Sequence, residues 1–244
     1  MLKVVTFDFW NTLFVDHSGK LRKDMRATFL REELAAVGIA RSSPALYDGL
    51  SAGYRYFDDI WHNEMRTPRL AEILEAVFSD LGVSPPQETK DRIADAFEAL
   101  IIELPPDLVP GASETLRELS QRFTLAIVCD TAYTPGRTLR KLLDREGLTE
   151  CFDHFCFSDE MGMSKPDPRI FRAVLEKSGA RGPDAAHVGD MERTDIAGAH
   201  AAGMWALLFC GANSHDAAST TADAIVERFV DLPTALGALM CPGC

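Results

Sequence analysis

Six residues of this 244-residue chain have side chains suited to chemistry and stand in comparable places: Asp8, Asp130, Thr131, Lys165, Asp190 and Asp195. Asp8 follows the apolar run 2–7, and Asp130-Thr131 follows 125–129. Lys165 lies in the loop after 154–158, and Gly189-Asp190 follows 185–188 with Asp195 five residues further on. A single aspartate after a strand ordinarily caps a helix. Four apolar runs that deliver carboxylates, a hydroxyl and one ammonium to the same edge point instead to a shared site. A carboxylate nucleophile flanked by positive charge suits phosphoryl transfer, with Asp8 attacking and Lys165 holding it ionised while offsetting the phosphate charge. Asp8, Asp190 and Asp195 around one ammonium would repel one another unless protons or a cation relieved them. Hard oxygen donors with room for waters describe a Mg2+ site. Asp195 also suits the N-cap of the helix that follows it.

These residues need a scaffold, and the apolar periodicity supplies one. Residues 2–7 read as a strand buried on both faces. From Val109 onward short apolar strands alternate with helices: 125–129 then 135–147, 154–158 then 167–179, 185–188 then 194–203, and a last strand at 204–209. Repeated units of this kind build a parallel sheet with helices on both faces, a three-layer Rossmann-like α/β core, and such sheets bind ligands at the carboxyl ends of their strands. The ninety or so residues between are helical in pattern. Stripes at Leu21–Val37, Leu46–Trp61, Leu70–Leu81 and Ile93–Ile101 are punctuated by Gly38 and Gly82 and closed by Pro105-Pro106. They predict a bundle of four amphipathic helices, 15–104, inserted into a core made of 1–14 and 105–244.

Composition removes several classes of partner. Twenty-five Lys and Arg against 37 Asp and Glu give a net charge of −12, which disfavours nucleic acid and anionic membrane surfaces. No apolar stretch approaches a membrane span and Asp8 arrives too early for an export segment, so the expected address is cytoplasmic. Cys129, Cys151, Cys156 and Cys210 sit in or beside apolar runs, as reduced core thiols do. Cys241 and Cys244 have the spacing of half a metal knuckle with no second pair, and read as a frayed tail.

Four motifs in this order resemble the haloacid dehalogenase-like (HAD) hydrolase superfamily: Asp8 to Leu13, Ile127 to Thr131, Ser164 to Phe171, and Val188 to Asp195, with Ile196 to Ala199 and Ala202 to Met204 also matching. The resemblance covers 1–14 and about 107–244, and the insertion matches only in type. It implies a hydrolase in which Asp8 is the nucleophile, a Mg2+ ion is held by Asp8, Asp190, Asp195 and the backbone carbonyl of Trp10, and the substrate is a small phosphorylated metabolite. Family members carry Ser or Thr after the second strand. A gap-free comparison sets Cys129 or Asp130 there, so Thr131 or a neighbouring N–H is expected to donate to a phosphoryl oxygen, with Asp130 and Lys165 beside the substrate.

Trp10 departs from the phosphatase pattern, which has a second aspartate two residues after the nucleophile to protonate the leaving oxygen. Such acid–base help is worth about 10²–10⁴ in rate. Three readings follow: a leaving group that needs little help, a substitute such as Asp16, His17 or His62, or another reaction. The rival is 2-haloacid dehalogenation by Asp8, since family dehalogenases have an aromatic residue at this position. They work without metal, however, and Asp190 would repel an anionic haloacid. A phosphonate-cleaving enzyme would need a lysine from the insertion, where Lys20, Lys23 and Lys90 are available, and a non-catalytic binding module is a further alternative. The rings of Tyr47, Tyr54, Tyr56, Phe57, Trp61 and His62 either close over the site or form bundle core. Arg55, Arg66, Arg137 and Arg140 read as solvated.

Overall fold

Val4–Phe7 (β1) is a strand in which every residue is buried, and it lies at the centre of a six-stranded sheet. The computed structural model describes residues 1–239. Along the chain the sheet strands are β1, Thr124–Cys129 (β4), His154–Phe157 (β5), Ala185–Gly189 (β6), Trp205–Phe209 (β7) and Ala224–Val226 (β8), numbered around a two-stranded ribbon of Phe14–Val15 (β2) and Asp107–Leu108 (β3). The spatial order is β5-β4-β1-β6-β7-β8 and every pair is parallel. Phe7 is in register with Ile127 on one side and Val188 on the other. The chain therefore leaves β1, β4 and β6 on one edge of the sheet, and Asp8, Asp130 and Asp190 emerge from adjacent strand ends.

Side chains alternate across the sheet with a period of two. Val5, Phe7, Leu125, Ile127 and Leu207 pack against Ala112–Ser120 (α5), Gly136–Arg145 (α6) and Leu232–Leu239 (α10). Val4, Ala126, Val128, Ala206 and Leu208 pack against Pro168–Ser178 (α8) and Ala197–Ala201 (α9). The result is the three-layer α/β architecture that the alternating pattern anticipates.

Gly19–Ala36 (α1), Ser43–Asn63 (α2), Leu70–Asp80 (α3) and Gln87–Glu103 (α4) lie between β2 and β3, which pair antiparallel and bring the two ends of the insertion together. Leu30, Leu34, Leu50, Leu74, Phe78 and Phe97 form its own apolar centre. Gly53 lets α2 approach α3, because a Cβ there would come within 2.7 Å of Val77 Cγ2. Ser42 begins α2 as its N-cap, its hydroxyl accepting the N–H of Ala45 at 3.4 Å, with Pro44 in the first turn.

Three features depart from the sequence reading. The strand β8 and helices α5 and α10 are additional, and Ser158–Met161 adds a short helix (α7) directly after β5. The helix expected at 194–203 opens with a π-helical turn, Glu192–Ile196, before α9. Asp195 lies within that turn and is not the N-cap of a helix. Its side chain instead accepts the N–H of Met191 at 3.0 Å, which ties it to the end of the β6 loop. Cys129, Cys151 and Cys156 are buried free thiols and Cys210 is partly buried. Cys241 and Cys244 lie outside the described residues. Among the described residues no helix is long and apolar enough to cross a membrane.

Candidate active site

At the carboxyl edge of the sheet, the ammonium of Lys165 lies 2.5 Å from Asp8 Oδ1 and 2.6 Å from Asp195 Oδ1. All three side chains are at least nine-tenths buried. Asp8 is fixed by its own backbone, whose N–H continues the sheet by donating to the carbonyl of Val188 at 2.8 Å. Behind Asp195 stands the fully buried His187, with Nε2 2.9 Å from Asp195 Oδ1 and Nδ1 2.7 Å from the Thr6 hydroxyl. Burial pushes the His187 imidazole below its ordinary value, so it carries one proton. The carboxylate beside Nε2 can only accept, so Nε2–H donates to Asp195 and Nδ1 accepts from Thr6. Asp190 accepts from two side-chain amides, Asn213 at 2.8 Å and Asn11 at 3.3 Å.

Carboxylate oxygens of Asp8, Asp190 and Asp195 all lie within 4.8 Å of one another, and that crowding governs their titration. Burial pushes the Asp8 carboxyl well above its ordinary range; Lys165 pulls it back, while Asp195 and Asp190 add to the rise. Burial, with the Asp195 charge beside it, lifts Asp190 to about 6. Burial works against the charge of Asp195 too, yet Lys165 and His187 together hold it well below the usual carboxylate range. Burial likewise opposes the charge on Lys165, and Asp195 and Asp8 overcome it, keeping the ammonium protonated. One ammonium thus serves three buried carboxylates, and the excess negative charge, with hard oxygen donors following two adjacent strands, fits a divalent cation.

A cavity of about 190 Å³ opens above this cluster and is lined by Asp8, Asp130, Lys165, Asp190 and Asp195 together with Trp10, Asn11, Tyr54, Phe57 and Trp61. The last three rings come from α2, so the insertion roofs the site. Trp61 Nε1–H donates to Asp130 Oδ2 at 2.8 Å, and the Lys165 N–H donates to Asp130 Oδ1 at 2.9 Å. One oxygen of Asp130 thereby ties the insertion to the sheet and the other holds the loop that carries Lys165, while Asp130 still lines the cavity. The Arg193 guanidinium stacks over the other side of this tie, 4.1 Å from the Trp61 ring centroid.

Thr131 differs from expectation. It is fully buried and is absent from the lining of this cavity. Its hydroxyl donates to Asp159 Oδ1 at 3.1 Å and its N–H donates to Ser158 Oγ at 2.9 Å. The chain turns after Asp130, so the second hydroxyl-bearing position points into the α6–α7 junction. Among the rings of the insertion, Tyr47 donates to Asp24 at 2.7 Å, while Tyr47, Tyr56 and His62 do not line the cavity. Asp16 is ion-paired with Arg22, His17 is exposed, and His62 Nδ1 lies 2.8 Å from the carbonyl of Asp58, so none of the three reaches the Asp8 cavity. Arg66 pairs with Glu64 and Glu72, Arg137 with Glu98, and Arg140 with Glu160.

Asn11, His187 and Asn213 escaped the sequence reading. Asn11 has a positive φ of 55°, a conformation that Asn tolerates better than most residues, so its place in the turn after Asp8 is a usable signal. His187 is hidden within an apolar strand, and Asn213 sits in a loop with no periodicity.

A doubly wound parallel sheet with a carboxylate–lysine cluster at its carboxyl edge and a helical insertion after the first strand defines a class of hydrolases. A family model described as haloacid dehalogenase-like hydrolase matches residues 2–203, and the chain belongs to that family. Over 139 residues it is 36% identical to a ribulose-1,5-bisphosphate 5-phosphatase of Halopiger xanaduensis, a match spanning 57% of each chain. It is 30% identical over 190 residues to a phosphoserine phosphatase of Thermus thermophilus, covering 73% of this chain and 74% of that one. Among solved structures, a 2-haloacid dehalogenase from Pseudomonas syringae superposes with a TM-score of 0.74 at 24% identity, covering 97% of this chain and 99% of that chain. This last likeness concerns the fold.

Proposed function

We propose that this hydrolase is a cytoplasmic, Mg2+-dependent phosphatase of small phosphorylated metabolites, with Asp8 as nucleophile. The observation that carries the reading is the Asp8–Lys165–Asp195 contact at 2.5 and 2.6 Å with Asp190 beside it. Asp8, Asp190, Asp195 and the Trp10 backbone carbonyl would hold the ion, which supplies positive charge to the phosphoryl oxygens when bound. An Asp8 oxygen attacks phosphorus as the bond to the leaving oxygen breaks, giving an aspartyl phosphate and a released alkoxide or phenoxide. Water then cleaves the phosphorus–oxygen bond to Asp8, releasing phosphate and restoring the carboxylate. Lys165 favours the ionised form of Asp8 against the opposing effect of burial and offsets the charge that builds on the transferring group. Tyr54, Phe57 and Trp61 cover the cavity and limit the access of bulk water. The phosphatase activity of the two sequence relatives supports a small phosphate ester as substrate.

Trp10 offers no acid where the leaving oxygen would depart, so this site favours leaving groups that are already good, such as aryl oxides. The same residue gives weight to a second reading, 2-haloacid dehalogenation, because halide departs without a proton. The extra carboxylate of Asp190, crowded against Asp8 and Asp195, disfavours an anionic haloacid and supports the phosphatase. The discriminating assay offers p-nitrophenyl phosphate, a panel of phosphorylated metabolites and 2-chloropropionate to the protein with Mg2+ and with EDTA. Phosphate release that disappears in EDTA and in Asp8→Asn supports the proposal, and chloride release that survives EDTA would overturn it.

A further inference from the structure

Next to the Asp8 cavity, and sharing Trp10 and Asn11 with it as walls, lies a second space of about 290 Å³ between α1 and the loop after β4. It is lined by Asp16, Arg22, Arg26 and Tyr133 among others. A third space of about 230 Å³ shares Arg26 and Tyr133 with it and reaches Lys23 and Tyr54, and Tyr54 in turn lines the Asp8 cavity. In a chain of net charge −12, the charged side chains lining these two adjoining spaces are Arg22, Lys23 and Arg26 against the single carboxylate of Asp16.

The three cations differ in how they are satisfied. Arg22 is ion-paired with Asp16 and donates to the carbonyl of Leu104 at 2.5 Å. Lys23 donates to Ser51 Oγ at 3.1 Å. Arg26, one helical turn beyond Arg22 on α1, makes no hydrogen bond or ion pair among the described residues, and its Nε is buried without a partner. Its planar group stacks on Tyr133 at 4.5 Å and lies 5.6 Å from Phe97. Stacking uses the face of a guanidinium, and here it leaves the buried Nε–H without an acceptor. Arg26 as a whole is half-buried, but a buried guanidinium N–H without an acceptor is costly, and such groups are normally paired. The side chain borders a cavity that adjoins the proposed nucleophile.

We propose that Arg26 receives a second oxyanion carried by the leaving-group portion of the substrate, a carboxylate or a further phosphate, while the scissile phosphate sits over Asp8. This inference rests on the phosphatase reading and adds the substrate class to it: phosphate esters with an anionic far end. The leaving group passes Trp10 and Asn11 into the second space, where Arg26 offers the fork of donors that oxyanions match. Trp10, whose ring stands at this junction, then acts as a wall between scissile and anchoring ends.

The test compares kcat/KM within matched pairs in the presence of Mg2+. 3-Phosphoglycerate against glycerol 3-phosphate differs by a carboxylate, and fructose 1,6-bisphosphate against fructose 1-phosphate differs by a phosphate. The expected result is a preference of about 10- to 100-fold for the anionic member of one pair, the size of a charge-assisted hydrogen bond. That ratio falls to near one in Arg26→Gln and is partly restored in Arg26→Lys. The pair that responds identifies the oxyanion. A ratio near one in the unaltered protein overturns the proposal. So does a ratio that persists in Arg26→Gln while both rates fall together, which marks Arg26 as a packing residue. If p-nitrophenyl phosphate is hydrolysed without any preference within pairs, only the Arg26 assignment fails. If no ester releases phosphate, the phosphatase reading fails and carries this one with it.

Discussion

Replacing Asp190 by Asn should make the metal-free protein more stable while removing its response to Mg2+. Burial and the neighbouring Asp195 charge lift the Asp190 carboxyl from an ordinary 3.8 to about 6. A tenfold change in proton affinity corresponds to about 1.4 kcal/mol, so keeping Asp190 ionised at pH 8 costs the folded, metal-free state roughly 3 kcal/mol. The sign follows from a folded value above the unfolded one. Below pH 3.8 both states are protonated and the cost is absent; it grows as pH rises towards 6 and is complete above it. Asparagine is nearly isosteric, and its side-chain oxygen can still accept from Asn213 and Asn11, which now donate at 2.8 and 3.3 Å. At about 2–4 °C per kcal/mol for a chain of this size, Asp190→Asn should melt roughly 6–12 °C above the unaltered protein in EDTA at pH 8. The gap should narrow at pH 5. Mg2+ should close most of that gap, since a ligand present at 100 times its Kd adds about 2.7 kcal/mol to the protein that binds it. Thermal melts of both proteins, with EDTA and with Mg2+ at pH 5 and pH 8, test the whole argument. A variant less stable than its parent in EDTA at pH 8, or an equal gain from Mg2+ in both, would refute it.

Two further outcomes follow from the same cluster. Mg2+ affinity, measured by calorimetric titration, should weaken as pH falls through about 6, because protons compete for Asp190 and also for Asp8, whose carboxyl burial pushes up; a flat profile down to pH 5 argues against Asp190 as a ligand. Trp10→Asp should raise kcat for alkyl phosphates by about 10²-fold or more and for aryl phosphates much less. Equal gains across leaving groups would show that Trp10 does not report missing acid catalysis.

Much of the molecule was legible in its sequence, for identifiable reasons. The strands carrying Asp8, Asp130 and Asp190 are apolar runs followed at once by a charge, and a parallel sheet turns that linear pattern into proximity. The four helical stripes were equally readable, because each ends in a glycine, a proline or a polar break. Thr131 was not, because strand-end position cannot tell which of two successive residues the turn directs inward, and here Asp130 faces the cavity while Thr131 faces Ser158 and Asp159. The Trp61–Asp130 tie depends on the docking of α2 against the sheet, which no local pattern encodes. Asn213 lies 205 residues from Asp8 in a loop where only the tertiary fold gives it a role. Strand β8 is three residues long with one of them exposed, too short for alternation to register.

The position of β1 also bears on how the chain is made. Val4 is in register with Thr124 on one side and Ala185 on the other, so the central strand is synthesised long before either neighbour. At about 5–20 residues per second, roughly 180 residues take on the order of 10–40 s to emerge. Until β4 is made the apolar segment Val4–Phe7 has neither of the strands that cover its edges, until Lys165 is made the nucleophile attached to it has no ammonium, and only β6 completes the pairing. The helices α1 to α4, whose contacts are largely with one another, become complete in the meantime and can fold first. The prolonged vulnerability of a nascent chain of this topology therefore resides in its opening strand, and ends only when β6 leaves the ribosome.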